Sequence, residues 1–414
     1  MRMWIFIVRR AILLLPVIVG VMTITFALVS SLPVEQQLIA HFGAPGPHDS
    51  WIYNPNLLPG QGNCPPAPNN KTCTNTAYYN FIDLLGLNQP IPVQWGLYIY
   101  HSLTFQWGTV DNHSTAADEN SAIRGEPVTT VLSWYLPYTL ELAALALILI
   151  LLISIPLGNL SAVNRNRPVD QAARVLSFSG FAMPTFLLAS LLLMGFVIAI
   201  GAASPHAYFT TSPWCRPGEA TFEEFYGSWP SALCFSSQSV YPAWMGGGIH
   251  TSPTGFPTID ALLNGQGWVA ADTLIRMILP AIAIAFGSIA VLLRFVRNSM
   301  LEVMNLDFVR TARAEGVPSK TVVSRHAGRN SLNVTITVLG LTFAFFIGGF
   351  PVIEYVFHLN GVGLMLAYSI QQSQGTIDYG LIFGTTLLFT FIIVIANIIV
   401  DILYAYLDPR VRLG

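Results

Sequence analysis

Six long apolar stretches restrict the fold of this chain more than any other feature. The first runs without interruption from Ala11 to Leu32, which as a helix is enough to cross the roughly 30 Å hydrocarbon core of a bilayer. A helix satisfies all of its backbone hydrogen bonds within one segment, as the lipid interior requires. The others cover about 136–160, 175–201, 274–293, 331–352 and 379–404. The sequence therefore predicts an all-α integral membrane protein with six transmembrane helices.

Composition supports this fold class. Charged residues make up only 10% of the 414 residues, whereas soluble domains carry about a quarter, which argues against a soluble two-domain enzyme. A signal peptide has an apolar core of only about 7–15 residues. The longer first run therefore predicts an uncleaved span, with its N-terminus inside.

Positive charges predict the orientation. Of the 19 Lys and Arg residues, 15 fall in segments that a six-span topology places inside, as the positive-inside rule requires. We therefore expect both termini to be cytoplasmic in the cell membrane. Apart from this topological bias the chain shows no basic surface, so no nucleic-acid partner is expected. The four exceptions are Lys71, Arg124, Arg216 and Arg276.

These assignments divide the chain into five segments. They are an N-terminal transmembrane helix (1–32), an extracytoplasmic segment (33–130), transmembrane helices two and three (131–201), an extracytoplasmic insertion (202–270), and transmembrane helices four to six (271–414) with a cytoplasmic loop at 294–330.

Residues 294–330, called the basic stretch below, hold seven of the positive charges. Asp307 is a suitable N-cap for a helix over 308–314. Gly316 would end that helix, because glycine tolerates the left-handed conformation. Pro318 suits the first turn of a second helix. The spacing predicts helix, glycine break and helix, and a solvated basic loop remains the alternative.

Two motifs in this stretch resemble the coupling loop of ABC importer permeases of the dipeptide/oligopeptide subfamily. They are Arg310-Thr-Ala-Arg-Ala-Glu-Gly316 and Arg325-His-Ala-Gly-Arg-Asn330. The general family pattern is Glu-Ala-Ala, three residues, then Gly. Arg310, Thr311 and Ala312 occupy the first three places, and two of them depart from that pattern. Similar segments elsewhere extend the resemblance over 1–32, 85–200 and 274–414, and leave 202–270 without a counterpart.

The resemblance implies a type I ABC importer permease with two extracytoplasmic insertions. A second homologous permease would complete the path, two ATPases holding ATP and Mg would dock on the inner loops, and an external solute-binding protein would deliver the solute. This chain itself would bind no cofactor. The implied substrate is a di- or oligopeptide, with oligosaccharides as the alternative. The implied ATPase-coupling residues are Arg310, Thr311, Ala312, Arg313, Ala314, Glu315 and Gly316.

Enzyme signatures are absent from the sequence. It contains no G-x-x-x-x-G-K-[ST] phosphate loop, no H-E-x-x-H zinc pair and no G-x-S-x-G nucleophile turn, so no catalytic residue is assigned. A secondary transporter or channel would need inverted repeats or intramembrane ion-binding residues, and an intramembrane enzyme would need a nucleophile motif. Co-purifying ATPases would separate the ABC permease from both.

All four cysteines lie in the two segments predicted to be outside, as expected for disulfides in an oxidising compartment. Three pairings are open, and we favour the short-range one. C-x₂-C spacing is absent, so a metal site is not assigned. Two sequons also lie outside, at Asn70 and Asn112. The favoured pairs are Cys64 with Cys73 and Cys215 with Cys234.

Two carboxylates, Glu141 and Glu354, are predicted at or near membrane level. Burial of a carboxylate there is costly, which points to function. Glu354 is our candidate gate residue, and an interfacial residue that snorkels or pairs with an arginine is the alternative. Met183-Pro184 lies inside the third predicted span, where we expect a packing kink, with a hinge as the alternative.

Overall fold

The computed structural model describes residues 3–35, 37–38, 52, 54–58, 73–111, 116, 123–200, 254–263, 265, 267–328, 331, 350–371 and 377–407. These residues divide into two units. The first unit comprises Met1–Ala11, Tyr135–Leu364 and Ile393–Gly414, and the second comprises Ile12–Trp134 and Met365–Ile392.

Nearly all regular structure in the described residues is helical. A pair of two-residue antiparallel strands, β1 (Asn56–Leu57) and β2 (Cys73–Thr74), lies in the segment after the first helix. A π-helical turn at Val322–Ala327 continues directly from α10. The helices are α1 (Met3–Ser30), α2 (Thr76–Leu85), α3 (Ile91–Leu103), α4 (Val128–Val163), α5 (Pro168–Ala182), α6 (Thr185–Ile200), α7 (Pro257–Leu263), α8 (Gly267–Val303), α9 (Asp307–Ala314), α10 (Ser319–Thr321), α11 (Phe350–Phe357), α12 (Val362–Ile370) and α13 (Tyr379–Leu407).

Within the described part of the chain, four helices are long and apolar enough to span a membrane: α1, α4, α8 and α13. Two bent pairs, α5 with α6 and α11 with α12, pass the same test when each pair is taken as one span. By length and composition the described residues thus hold four to six candidate spans, in agreement with the predicted all-α membrane fold. The pair of α11 and α12 lies mostly after the predicted fifth span and does not correspond to it. The predicted fifth span at 331–352 lies largely outside the described residues.

Several helices are longer than the predicted spans. α4 begins at Val128 and α8 begins at Gly267, each before its predicted segment. α8 also continues to Val303, so Arg294 and Arg297 belong to this helix and not to a loop. The sequence from Phe295 to Val303 contains no glycine or proline. Nothing local therefore ends the helix where its apolar run ends.

The predicted kink at Met183-Pro184 is instead a complete break. α5 and α6 meet there at an angle of 108°. Met183 has extended backbone angles, φ −91° and ψ 120°, because a residue that precedes proline is disfavoured in the helical region. Pro184 then accepts hydrogen bonds from the amides of Leu187 and Leu188 at the start of α6.

Small residues bring α8 close to its neighbours in the first unit. A Cβ at Gly180 would lie only 2.5 Å from the Cβ of Ala290, and one at Gly158 only 2.7 Å from Cγ1 of Val296. Such close backbone approach is the usual way in which helices pack in lipid. These glycines allow α4, α5 and α8 to pack tightly, and the candidate functional site lies at one end of this group.

The second unit is held together by polar contacts between distant segments. Trp95 of α3 donates to Thr23 of α1 at 3.0 Å, and Tyr98 donates to Thr25 at 3.0 Å. The carboxylate of Asp378 accepts from the backbone amide of Asp111 at 2.9 Å. These contacts fasten α1 and the start of α13 to the segment between α1 and α4.

Candidate functional site

The predicted two-helix arrangement of the basic stretch is present as α9 and α10. α9 turns Val309 and Ala312 inward, where they are 0% and 8% exposed. They belong to an apolar cluster that joins α9 to the ends of two long helices. A fully buried valine contributes about 1.5–3 kcal/mol, so α9 is firmly seated. The buried members of the apolar cluster are Ala162, Met300, Val303, Val309, Ala312, Val322 and Ala327.

Gly316 ends the first helix as predicted. Its φ is +80°, its amide donates to the carbonyl of Arg313 at 3.1 Å, and the amide of Val317 donates to the carbonyl of Ala312 at 3.1 Å. This pair of bonds is the Schellman arrangement, which satisfies carbonyls at a helix end. Val317 then packs against the apolar cluster, which fixes the direction in which the chain enters α10.

The start of α9 differs from the prediction. Leu306 occupies the N-cap position and no side chain caps the helix. Asp307 is the first helical residue, where its charge still suits the positive end of the helix dipole. Pro318 is the residue just before α10 and not within its first turn. Both differences are shifts of one position, because several neighbouring residues can serve at a helix start.

The opposite face of α9 is exposed. It contains two arginines: Arg310 has a side chain 71% exposed and lies 3.5 Å from Asp307, and Arg313 is also exposed and points one N–H at the sulfur of Met304 at 3.7 Å. A short helix with one seated face and one free, basic face can bind an acidic or polar partner surface. The exposed residues of α9 are Asp307, Phe308, Arg310, Thr311, Arg313 and Ala314, so this face carries two positive charges and one negative charge.

Sequence reasoning missed a second group, the Asp170 cluster, which consists of Ser161, Asn166, Asp170, Arg174 and Arg297. Asp170 is 0% exposed and lies in the first turn of α5. Arg297 of α8 grips it with two hydrogen bonds, Nε to Oδ1 at 2.6 Å and Nη2 to Oδ2 at 3.1 Å. A two-pronged Arg–carboxylate contact is stronger and more directional than a single one.

The rest of the Asp170 cluster satisfies the same carboxylate. Ser161 of α4 donates to Oδ1 at 2.6 Å, the amide of Asn166 donates to Oδ2 at 2.9 Å, and Arg174 pairs with Oδ2 as well. Three helices therefore meet at one buried negative charge. The signal available in the sequence was an acidic residue two positions after a basic loop at 164–168, but its partner on α8 is remote in the chain.

Glu354 is buried, at 1% exposure. Its Oε2 accepts from the amides of Gly363 at 2.6 Å and Leu364 at 3.0 Å, and its Oε1 accepts from the hydroxyl of Thr139 at 2.7 Å. Thr139 in turn accepts from the amide of Val362 at 2.9 Å. The carboxylate thus caps α12 across the 85° bend between α11 and α12. None of these contacts of Glu354 comes from an arginine. The described residues therefore do not show the ion pair that was the alternative for Glu354.

Glu141 has a similar role at another helix start. Its carboxylate accepts from the amide of Thr258 at 3.0 Å and from the hydroxyl of the same residue at 3.3 Å. The buried Asp260 binds the amides of Thr254 and Gly255 at 3.0 and 3.1 Å. These contacts fix α7, the last described element before α8, to α4.

The remaining predicted residues lie mostly outside the described ones. Cys73 is disulfide-bonded, while Cys64, Cys215 and Cys234, with the sequons at Asn70 and Asn112, are not described. The pairing and the glycosylation sites therefore stay predictions. The described residues contain no group of three or more His, Cys, Asp or Glu side chains arranged to hold a metal ion.

Comparison with known proteins places these features in a family. The family described as binding-protein-dependent transport system inner membrane component matches residues 154–413, a range that includes both the Asp170 cluster and the basic stretch. The chain belongs to this family. It is thus a multi-pass membrane permease subunit, and the resemblance noted in the sequence is confirmed.

Individual relatives extend the similarity to nearly the whole chain. The probable D,D-dipeptide transport system permease protein DdpB of Escherichia coli K12 is 34% identical over 81% of this chain and 84% of its own. The oligopeptide transport system permease protein AppB of Bacillus subtilis is 28% identical over 98% of this chain and 99% of its own. The dipeptide permease DppB of Bacillus subtilis is 28% identical over 81% and 82%.

Proposed function

We propose that this chain is one permease subunit of an ABC importer and forms half of the path for di- or oligopeptides. α9, the observation that carries this proposal, is seated on the ends of α4 and α8 and exposes a basic face. A partner that binds this face can push on two transmembrane helices at once. The partner class is a pair of ATPases, which hold ATP and Mg and perform the hydrolysis.

The proposed orientation is supported by the distribution of Lys and Arg along the sequence. The basic stretch and both termini lie in the cytoplasm, where ATP is available, and 33–130 and 202–270 lie outside. An external solute-binding protein delivers the solute to that outer side, and a second homologous permease completes the path. Glu354 holds the bend of α11 and α12, and this capped bend is the element that we assign to the outer gate.

The peptide substrate is supported by the names of the relatives, which are dipeptide and oligopeptide permeases. Uptake into proteoliposomes that contain the permease pair, the ATPases and the binding protein tests it. We expect ATP-dependent uptake of labelled di- or tetrapeptides and none of short oligosaccharides. Oligosaccharide uptake without peptide uptake would overturn the assignment of substrate and leave the assignment of the machinery intact.

Docking is tested separately with a photoreactive phenylalanine analogue at Phe308 on the exposed face of α9. The matched control places it at Tyr79 of α2, because Phe308 and Tyr79 have similar exposures of 40% and 43%. In the assembled complex, illumination should link position 308 to an ATPase and should not link position 79. An ATPase adduct from position 79, or none from 308, would contradict the docking assignment.

A further inference from the structure

The Asp170 cluster lies directly beside the apolar cluster that seats α9. On α4, Ser161 donates to Asp170 while the next residue, Ala162, belongs to the apolar cluster. On α8, Arg297 grips Asp170 while Met300, one turn further on, also belongs to the apolar cluster. α4 and α8 therefore each contribute residues to both the Asp170 cluster and the apolar cluster, and Asp170 joins α5 to these two helices.

These two kinds of contact differ mechanically. Apolar side chains are held by close but non-directional contacts, which fix no particular angle between two helices. The bidentate hydrogen bond from the Arg297 guanidinium fixes both the distance and the angle to Asp170. Ser161 and the backbone amide of Asn166 donate to the same carboxylate. Asp170 is 0% exposed and Arg297 only 15% exposed, so water competes little with the bonds between them. The start of α5 must therefore follow α8.

We propose that Asp170 is a positioning residue that transmits movement of α9 and α8 to the broken span formed by α5 and α6. This inference rests on the function proposed above, since it presumes that an ATPase moves α9. The break at Met183-Pro184 is the place where this movement can change the angle between α5 and α6. α5 can tilt with α8 while α6 follows through the 108° joint.

The test uses the complete complex of permeases, ATPases and binding protein in proteoliposomes. Asp170→Asn keeps the size of the side chain and removes its charge and one acceptor. Asp83→Asn is the matched control, because Asp83 is exposed on α2 and has a polar contact, to Asn88 at 2.8 Å. The measurement is the rate of ATP hydrolysis with solute-loaded binding protein, divided by the rate without it, at equal amounts of assembled complex.

We expect Asp170→Asn to lower this ratio by about fivefold or more, the lower end of ordinary coupling effects, while hydrolysis without solute is unchanged. Asp83→Asn should leave both rates at wild-type values. A purely structural role would lower assembly, or both rates together, and would leave the ratio unchanged. A wild-type ratio in assembled Asp170→Asn complex would overturn the proposal.

Arg297→Lys is the second variant, for the case in which Asp170→Asn fails to assemble. Lysine keeps the charge but loses the planar fork. A lowered ratio supports the proposal, and a wild-type ratio refutes it. Gly316→Val in the same assay separates this inference from the proposed function. If Gly316→Val uncouples hydrolysis and both variants of the Asp170 cluster do not, only the role of Asp170 is wrong. If Gly316→Val also leaves the ratio unchanged, the coupling role of the basic stretch is wrong.

Discussion

Substitution of Gly316 by valine tests the coupling assignment with little steric side effect. Gly316 has a φ of +80°, and no described atom lies within 4 Å of the position that a Cβ would take. The substitution therefore acts through the backbone. A β-branched residue held in the left-handed region costs about 1–3 kcal/mol.

The chain can relieve this strain only by changing the turn. A negative φ at position 316 would break the bonds that Gly316 and Val317 donate to Arg313 and Ala312, each of which contributes about 0.5–1.5 kcal/mol. The two routes cost similar amounts, so the entry into α10 should distort. Strain of this size, if it differs between two states of the transporter, shifts their balance by about 5- to 150-fold.

The assay compares assembly, ATP hydrolysis and peptide uptake in the reconstituted complex. Gly316→Val should insert and assemble normally, and its binding protein should still capture solute. Uptake should be lost, and hydrolysis should no longer respond to solute. Gly316→Asn should transport, because asparagine tolerates the left-handed region.

Gly265 offers a matched control. Its φ is +73° and it also has no described atom within 4 Å of a Cβ, but it lies between α7 and α8 and outside the basic stretch. Gly265→Val thus adds the same kind of strain elsewhere, and its hydrolysis should still respond to solute. Wild-type transport by assembled Gly316→Val, or equal uncoupling by Gly265→Val, would refute the reasoning.

Three further outcomes are expected. Arg313→Ala should reduce uptake less than Gly316→Val in the same assay, because an exposed charge contributes less to a hydrated interface than the backbone conformation does. A larger loss of uptake in Arg313→Ala than in Gly316→Val would contradict this prediction. Glu354→Ala leaves the buried amides at the start of α12 unpaired, each at a cost of about 1–3 kcal/mol, so the melting temperature in detergent should fall, and an unchanged value would contradict the capping role. Single cysteines that replace Ser319 and Ser252 test the topology. An impermeant thiol reagent should label only position 252 in intact cells, and labelling of position 319 would contradict the predicted orientation.

Local properties of the sequence determined the fold class and the position of α9. Apolar length predicted the spans, since crossing a membrane depends on consecutive residues. The left-handed turn at Gly316 was also predictable, because glycine is the residue that adopts it without cost. The helix end at Val303 was not predictable from hydropathy, because a helix does not end where its apolar run ends.

Only the tertiary structure decided which polar groups meet. Asp170 and Arg297 are 127 residues apart in the chain, and Thr139 and Glu354 are 215 apart. Neither pair has a spacing that marks it. In the sequence, Glu354 was interpreted as a gate residue or an interfacial one, and its role as a helix cap was not predicted. A buried carboxylate must be satisfied by whichever donors the neighbouring helices bring to it. Which helices are neighbours depends on packing contacts such as Gly180 against Ala290, and packing is a property of the folded chain as a whole.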